Sequence, residues 1–390
     1  MKYLVLGAGL QGRAVIYGLF QLDPEADILV ADLSTEAARR FVERVEIPSP
    51  EFIRLDAADS AKVSEWMSRA DVIIDMLPIT FNESMARLAI SAGRHLVNTF
   101  YAGEIVKLHR TAVENGVTIL PEMGMDPGID LVMARRMLSS FDQIREFYSY
   151  GAGIPERDAC NNILNYKISW TWEGVLTSYV RPARLLKGGR EVLLAGAEVF
   201  AAENLHTVEH PELGALDAIP NGDALSYIDL LGLSADRLEE MGRYSLRWPG
   251  HAAIIRTWHQ LGFFEEAPAP SLGVSPFMFL VKHFEPRLQY EEDERDLGIV
   301  SIRAVGTKDG QDLAITDTLI DRRDLATGLF AMNRMVGFSA AIAAQMIASQ
   351  TIDKRGVLSP ARDVPVEPFL EGLSRFGMEI VRKVGTSIKL

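Results

Sequence analysis

Residues 2 to about 120 alternate short apolar runs with segments whose apolar residues recur at helical spacing. This alternation is typical of a parallel sheet covered by helices. Several helical segments end at a glycine, such as Gly93 or Gly116, which favours helix termination. We therefore predict a doubly wound domain, with strands at 2–7, 27–32, 52–55, 71–75, 95–98 and 117–120 and helices near 10–21, 35–45, 59–68, 81–93 and 103–115.

The pattern changes after Pro127, where the spacing of apolar positions becomes irregular. Two runs at 299–306 and 312–320 alternate as antiparallel strands do, and Lys308-Asp309-Gly310 between them suits a hairpin turn. Helical periodicity returns from Leu325 to about Ala348, with small residues that permit close packing. The second lobe is therefore predicted to be α+β. We also predict a helix at 129–139, a strand at 147–151 and a linker at 265–270.

The glycines Gly7, Gly9 and Gly12 follow the first predicted strand and open a helix, as in loops that bind a dinucleotide pyrophosphate. Asp32 ends the second strand, where a carboxylate can accept both ribose hydroxyls and would repel a 2′-phosphate. We therefore predict NAD rather than NADP; a flavin is the competing cofactor, and a plain glycine-rich turn is the structural alternative. The remaining predicted cofactor contacts are Leu10, Gln11, Leu33, Asp56, Leu77, Pro78 and Thr99.

Composition narrows the class of protein further. The 390 residues carry a formal net charge of −13, which argues against nucleic-acid binding. Cys160 is the only cysteine, so an intramolecular disulfide is impossible, and the seven histidines lack metal-site spacing. The apolar stretch from Gly328 to Ser349 contains Asn, Arg and Gln and predicts a buried helix rather than a membrane span. We predict a cytoplasmic protein without a catalytic metal.

Several segments together resemble the saccharopine dehydrogenase family. Pro121 to Asp130 (PEMGMDPGID) resembles its G-x-D-P-G-x-D stretch, and the agreement continues in order at Asn98–Tyr101 (NTFY), Asn165–Trp170 (NYKISW), Arg247–His251 (RWPGH) and Ala331–Phe338 (AMNRMVGF). The resemblance implies a Rossmann dinucleotide-binding domain and a mixed α+β substrate-binding and dimerisation domain, in a homodimer. It also implies oxidation of an amine-bearing carbon by a nicotinamide cofactor. We place the domains at 1–126, joined by returning C-terminal helices at about 325–390, and 127–324.

Two departures from this family bear on the substrate. Saccharopine reductases tend to have arginines, suited to gripping carboxylates, where this chain has Glu173 and Gly222. Glu173-Gly174-Val175 and the NAD-type Asp32 look more like lysine 6-dehydrogenases. Residues 161–170 and 218–227 instead read like saccharopine reductases, so both substrates stay open.

Oxidising an amine by hydride transfer requires a neutral nitrogen, and therefore a proton acceptor. Asp126 lies just beyond the last strand of the predicted sheet, where ligands of such folds bind, and is our first candidate. The alternative is helix capping, because Asp before Pro127 is an ordinary N-cap arrangement. Tyr101, after the fifth strand, is the second catalytic candidate, or else a packing residue. Met125 and Gly128, on either side of Asp126, are assigned to the substrate.

Further substrate candidates lie in the second lobe. Lys167 and Ser169 would share one side of a predicted strand, and Glu173 could hold a substrate ammonium. Each is also consistent with a solvated surface position. Three cationic candidates for an α-carboxylate, any of which can equally pair with the protein's own acids, are Arg243, Arg247 and His251.

These observations give one leading hypothesis and two alternatives. The leading one is an NAD-dependent oxidoreductase acting on a C–N bond of lysine or a lysine-derived amine, in the manner of lysine 6-dehydrogenases. The first alternative is a saccharopine dehydrogenase that forms L-glutamate, or another secondary-amine dehydrogenase. The second is from another class: a regulator that binds the dinucleotide without turnover.

Overall fold

The computed structural model describes residues 1–268 and 273–386, so the predicted linker at 265–270 ends outside the described residues. The chain divides into two compact units. Unit 1 comprises Met1–Arg136, Ala326–Leu329 and Asn333–Glu379. Unit 2 comprises Met137–Leu325, Phe330–Met332 and the strand that begins at Ile380. Each unit has its own sheet.

The sheet of unit 1 is entirely parallel in its described pairings, with strand order β15-β6-β5-β4-β1-β2-β3. Its central strands are buried along almost their whole length, which explains why they appear as continuous apolar runs. The sequence-based prediction of a Rossmann-type α/β domain is confirmed. The strands are β1 (Lys2–Leu6), β2 (Asp27–Asp32), β3 (Glu51–Arg54), β4 (Val72–Asp75), β5 (His95–Asn98), β6 (Thr118–Leu120) and β15 (Gly356–Val357).

Helices α1 and α10 of unit 1 pack closely through small residues. A Cβ added at Gly337 would lie 2.5 Å from the Cβ of Ala14, and one added at Gly18 would lie 3.1 Å from the Cβ of Ala341. This close packing against α10 fixes the position of helix α1. The helices are α1 (Leu10–Leu22), α2 (Glu36–Arg44), α3 (Ser60–Met67), α4 (Asn82–Ser91), α5 (His109–Glu114), α6 (Ile129–Leu138, whose last two residues belong to unit 2), α10 (Ala331–Ala348, whose first two residues belong to unit 2) and α11 (Val366–Ser374).

The sheet of unit 2 is mixed, with order β10-β11-β12-β7-β13-β14-β16 and the β8-β9 hairpin attached to β12. Strands β12 and β7 pair in parallel, and the other described pairs are antiparallel. The elements are β7 (Gln143–Pro155), α7 (Trp172–Tyr179), β8 (Ala183–Lys187), β9 (Arg190–Leu194), β10 (His206–His210), β11 (Gly214–Pro220), β12 (Glu240–Arg247), α8 (His251–Gln260), α9 (Pro276–Phe284), β13 (Asp296–Lys308), β14 (Gln311–Arg322) and β16 (Ile380–Gly385).

The hairpin expected at Lys308-Asp309-Gly310 joins β13 to β14. Lys308 pairs with Gln311, and the two turn residues have φ angles of 50° and 76°. Both angles are left-handed, as the tight hairpin turn that fits the twist of the strands requires. The prediction of this hairpin from Asp-Gly between alternating runs is confirmed.

Two elements differ from the sequence-based prediction. Residues 165–170 form no strand: the backbone of Asn165 is left-handed, and the N–H of Ile168 bonds to the carbonyl of Leu288 rather than to a neighbouring strand. The argument that Lys167 and Ser169 share one side of a strand is therefore wrong. Helix α10 begins at Ala331 rather than Leu325, because the Asp296 carboxylate accepts hydrogen bonds from its first N–H groups.

Candidate active site

The geometry of the first loop requires two of its three glycines, Gly7 and Gly12, and leaves open space at the third, Gly9. Gly7 has a φ of +96°, and a Cβ there would lie 2.8 Å from the Met76 carbonyl oxygen. A Cβ on Gly12 would lie 2.0 Å from the Gly7 carbonyl oxygen. Gly9 is the N-cap of α1 and makes no side-chain cap, and a Cβ added there would have no atom within 4 Å. The helix N-terminus is thus bare and approachable, which fits a dinucleotide pyrophosphate.

The Asp32 carboxylate supports this loop directly. Its Oδ2 accepts a hydrogen bond from the N–H of Ala8 at 2.7 Å, and its Oδ1 accepts one from the N–H of Ser34 at 2.9 Å. Hydrogen bonds from N–H groups to a carboxylate are stronger than neutral ones. Asp32 therefore ties the glycine loop to the turn after β2.

The other residues predicted to contact the cofactor follow strand ends or open α1. Leu33 is exposed in the turn after β2, and Asp56 accepts a hydrogen bond from Ala58 N–H at 2.9 Å after β3. Because the sheet is parallel, its carboxyl-end turns share one edge, where ligands of such folds bind. The remaining members of this group are Leu10 and Gln11 in the first turn of α1, Leu77 and Pro78 after β4, and Thr99 after β5.

Asp75, the last residue of β4, was not predicted as a site residue. It is buried, its Oδ1 accepts a hydrogen bond from Leu77 N–H at 3.0 Å, and its Oδ2 has no hydrogen-bond partner in the part of the chain that is described. Its strand neighbours are Leu6 and Asn98, neither of which carries a charge. Burial raises the pKa of Asp75 to about 7. The acid therefore titrates near neutrality, beside the turn that contacts Gly7.

We predict that Asp75→Asn changes the pH dependence of stability. The folded pKa of Asp75, about 7, exceeds its ordinary value of 3.8. The contribution of Asp75 to the free energy of unfolding is therefore largest below about pH 4 and falls as the pH rises to about 7. The loss is on the order of 4 kcal/mol at most. Denaturant titrations at about pH 5 and pH 8 should show the variant gaining stability relative to wild type with rising pH. A pH-independent difference would contradict this assignment.

Tyr101 and Asp126 emerge from adjacent strand ends of unit 1. The segments after β5 and β6 pair through Glu122 N–H to Phe100 O and Met123 N–H to Asn98 O, both at 2.9 Å. Tyr101 and Asp126 are both half-buried. The two catalytic candidates are thus carried by one hydrogen-bonded edge.

The segment after Asp126 differs from the helix-capping alternative. Helix α6 begins only at Ile129, so Pro127 is not the first helical residue. Gly128 has a φ of +143°, a Cβ there would lie 2.1 Å from Gly124 O, and its N–H bonds to Asp130 Oδ1 at 2.8 Å. Gly128 is therefore required by the backbone, while Met125 is buried beside it. The simple N-cap interpretation of Asp126 is wrong.

In unit 2, Lys167 is buried in an ion pair. Its Nζ lies 2.6 Å from Glu294 Oε1, and Glu294 is held in turn by Glu291 N–H at 2.8 Å. Ser169 is also buried, and a Cβ added at Gly153 would lie 3.6 Å from its Oγ. Glu173 is exposed in the first turn of α7, a position that favours a carboxylate for electrostatic reasons alone. The structure brings Lys167 and Ser169 inside and leaves Glu173 outside.

Arg247, Tyr179 and His251 form a chain of hydrogen bonds whose proton positions can be deduced. Burial lowers the pKa of His251 to about 3, so the ring is neutral. Its Nδ1 lies 2.8 Å from the Leu164 carbonyl, which only accepts, so Nδ1 carries the proton. Nε2 then accepts from the Tyr179 hydroxyl at 2.8 Å, and the Tyr179 oxygen accepts from Arg247 Nε at 3.3 Å. His251 is not a cation here; it orients Tyr179 and, through it, Arg247.

The Arg247 guanidinium is buried without a carboxylate. Nη1 donates to the Leu246 carbonyl at 2.8 Å, and the rings of Tyr166 and Tyr179 lie 5.5 and 5.9 Å from the guanidinium carbon. No ion pair to Arg247 occurs within residues 1–268 and 273–386. A buried cation without a counter-ion is costly and suits an anionic ligand. Arg243 is also buried, 4.7 Å from the Tyr227 ring centroid.

Sequence reasoning missed a second cluster, around Tyr290, Glu294 and Asp296. In the sequence they belong to an acidic run that resembles a solvated loop. In the structure Asp296 is buried, accepting hydrogen bonds from Ala331 N–H at 2.8 Å and Met332 N–H at 3.1 Å. The only sequence signal was an aspartate entering a strongly apolar strand.

Residues 1–268 and 273–386 include no cluster of His, Cys, Asp or Glu that could hold a metal ion. No helix there is long and apolar enough to cross a membrane.

The comparisons with known proteins agree on one family. A model of the saccharopine dehydrogenase NADP binding domain matches residues 3–120, and a model of the saccharopine dehydrogenase C-terminal domain matches residues 124–378. The chain is 27% identical to an Arabidopsis thaliana alpha-aminoadipic semialdehyde synthase, covering 92% of this chain and 41% of that protein. It is 26% identical to the Pyricularia oryzae saccharopine dehydrogenase [NADP(+), L-glutamate-forming], covering 98% of both. A Saccharomyces cerevisiae saccharopine dehydrogenase (L-Glu forming) structure matches with a TM-score of 0.86 and 22% identity, covering 98% of this chain and 99% of that one.

These findings correct the predicted cofactor. NAD was favoured because of Asp32, but the matching nucleotide domain is an NADP binding domain and the fungal relatives are NADP(+) enzymes, which points to NADP. The physical reason is visible at Asp32, whose two oxygens each accept a backbone N–H of this chain. Because both Asp32 oxygens are hydrogen-bonded to the loop and the next turn, this carboxylate does not indicate whether the ribose carries a 2′-phosphate.

Both halves of the chain therefore give the same answer, and the two domain matches together account for nearly all of it. The predicted amino acid dehydrogenase activity agrees with relatives that are saccharopine dehydrogenases. The chain belongs to the saccharopine dehydrogenase family.

Proposed function

We propose that the protein is an NADP-dependent dehydrogenase of saccharopine that forms L-glutamate. Saccharopine is lysine joined to glutarate through a secondary amine, and it carries three carboxylates and one primary ammonium. The observation that carries the proposal is Arg247, a buried guanidinium held by Tyr179 and without a carboxylate of its own in the described chain. We assign one substrate carboxylate to it, because guanidinium groups bind carboxylates through paired hydrogen bonds.

The exposed position of Glu173 weakens the case for lysine as the substrate. That case needed a carboxylate to hold a primary ammonium in a desolvated site, whereas Glu173 lies in the exposed first turn of α7. The carbon oxidised in the proposed reaction is the lysine-side carbon of the secondary amine. NADP+ accepts the hydride; water then adds to that carbon, and the C–N bond breaks to release glutamate and an aldehyde.

We propose Asp126 as the group that takes the proton from the substrate nitrogen, with Tyr101 as a hydrogen-bonding partner. Both are half-buried at the ends of adjacent strands, where a carboxylate and a phenol remain accessible. A general base must lie within hydrogen-bonding reach of the proton it removes. We also propose Met125, Lys167 and Ser169 as substrate-binding residues.

For the 2′-phosphate of NADP we propose a cluster of arginines beside the turn after β2. Burial, and then the positive charges of Arg44 and Arg40, lower the pKa of Arg13, so these three cations lie near one another. None forms an ion pair with another residue in the described parts of the chain. An added phosphate would relieve their repulsion. Ser34, in the turn itself, adds a hydroxyl.

Arg40→Ala is expected to raise the KM for NADP+ about tenfold and to leave the KM for NAD+ within about twofold, because only NADP+ carries the phosphate. Initial rates with both nucleotides measure this. Arg87→Ala, which removes an exposed arginine paired with Glu83, is the matched control and should change neither value. An equal rise for both nucleotides would place Arg40 outside the phosphate site.

The activity itself is tested by following NADPH formation with saccharopine, lysine and simple secondary amines. The proposal predicts turnover of saccharopine and a kcat/KM for lysine at least about 100-fold lower, because lysine lacks the glutarate carboxylates. Turnover of lysine alone would favour the lysine 6-dehydrogenase alternative. Binding of NADP+ without turnover of any amine would favour a regulator.

Two further predictions belong with this proposal. The family resemblance implies a homodimer, which sedimentation analysis of the full chain would test. The cytoplasmic location stays a prediction that rests on the sequence.

A further inference from the structure

Tyr290 carries a hydroxyl that its own protein leaves unsatisfied. The phenolic oxygen is buried and has no hydrogen-bond partner in the described parts of the chain. The ring packs against Phe330 with centroids 4.9 Å apart, and Lys167 Nζ lies 5.8 Å from the ring centroid. An unsatisfied buried hydroxyl costs about 1–3 kcal/mol. Such a group calls for an explanation, and an absent ligand is one.

Two carboxylates, those of Asp296 and Glu294, act electrostatically on the Tyr290 hydroxyl. Burial, and next the Asp296 carboxylate, raise the pKa of the Tyr290 phenol, and the Glu294 carboxylate acts in the same direction. Lys167 is already bound to Glu294, so the charge of that pair is largely cancelled. The Asp296 carboxylate accepts two backbone N–H groups, which do not remove its charge. A second anion brought to this point would be repelled, and a cation would be attracted.

The same cluster is continuous with the proposed carboxylate site. Tyr166 is near both groups: its ring is 5.5 Å from the Arg247 guanidinium carbon. Burial raises the pKa of its phenol, while the Arg247 charge lowers this pKa and the Asp296 charge raises it. A cation and an anion therefore both act on Tyr166. An amino acid head group, with its carboxylate and ammonium, is complementary to this pair of charges.

We infer that the Tyr290 hydroxyl accepts a hydrogen bond from the primary ammonium of the substrate, in the field of Asp296, while Arg247 binds a carboxylate. This inference rests on the proposed function. The primary ammonium is the suitable partner because it stays charged throughout the reaction. The secondary amine must become neutral before hydride transfer, and a negative field would oppose that.

Tyr290→Phe removes one oxygen atom and tests the inference. The KM for saccharopine should rise about tenfold, with kcat within about twofold and the KM for NADP+ unchanged. The melting temperature without ligand should stay the same or rise, because the variant loses an unsatisfied buried hydroxyl. Tyr148→Phe is the matched control: its hydroxyl donates to Glu146 Oε2 at 3.1 Å, so its loss should lower the melting temperature and leave KM unchanged.

The partner group is identified with an analogue of saccharopine in which hydrogen replaces the primary ammonium. If Tyr290 contacts that ammonium, the analogue and the Tyr290→Phe substitution should not be additive: the variant should discriminate between the two substrates about tenfold less than wild type. Additive losses would overturn the inference, as would an unchanged KM or a lowered melting temperature in Tyr290→Phe. A wild-type protein that does not oxidise saccharopine would contradict the proposed function, and this inference with it.

Discussion

Arg247→Met is expected to lower kcat/KM for saccharopine by about 100-fold to 1,000-fold while leaving the dissociation constant for NADPH unchanged. The substitution removes the one buried guanidinium that we assign to a substrate carboxylate and keeps a flexible apolar side chain in its place. Stopped-flow or steady-state measurements of NADPH formation give the first quantity, and fluorescence titration of NADPH gives the second.

Stability separates this interpretation from a structural role for Arg247. The guanidinium is buried without an ion pair in the described chain, so replacing it should leave the melting temperature of the unliganded protein unchanged or higher. Arg322→Met, which breaks exposed ion pairs with Glu156 and Glu212, is the control and should affect neither rate nor melting temperature appreciably. A lowered melting temperature with a matching loss of activity would show that Arg247 holds the fold.

Two glycine substitutions in the first loop are expected to separate cofactor binding from folding. Gly9→Ala has open space around its Cβ, so the unliganded protein should keep its melting temperature, while the methyl group obstructs the bare N-terminus of α1 and weakens NADP+ binding at least about tenfold. Gly12→Ala places a Cβ 2.0 Å from the Gly7 carbonyl oxygen. It should lose NADP+ binding by more than about 100-fold and lower the melting temperature as well.

Calorimetric titration with NADP+ and thermal unfolding of both variants provide the comparison. Gly93→Ala is a control for the glycine itself: it has a left-handed φ of +68° and open space, at a helix end away from the loop, so it should cost stability without changing NADP+ affinity. If Gly9→Ala bound NADP+ as wild type does, the pyrophosphate would not lie at the N-terminus of α1.

The sequence was informative where local and global signals coincide. The strands of unit 1 were predictable because both faces are buried, and the β13–β14 hairpin because Asp309-Gly310 fits only a tight turn. Residues 165–170 were mispredicted because the N–H of Ile168 bonds to the Leu288 carbonyl instead of joining a strand ladder. No residue close to Asp296 in the sequence could indicate that it caps the N-terminus of α10, since the two are distant in sequence.

Predicting the site was harder for the same reason. A carboxylate at the end of β2 has two possible tasks, and only the hydrogen bonds of Asp32 to Ala8 and Ser34 show that this one supports the loop. His251 was predicted to be cationic from its proximity to Arg247 in sequence. Burial makes it neutral, and it orients Tyr179 instead of binding a carboxylate as a cation. Side chains that act through another residue form no motif whose spacing could be recognised in the sequence.

The central claim, that the C–N bond of saccharopine is oxidised with NADP+ to release glutamate, is tested most directly by product analysis. Purified protein, saccharopine and NADP+ should yield glutamate and NADPH in equal amounts, with no ammonia. Ammonia in place of glutamate would show that a primary amine is oxidised instead, and NADPH formation that fails to match glutamate release would contradict the account.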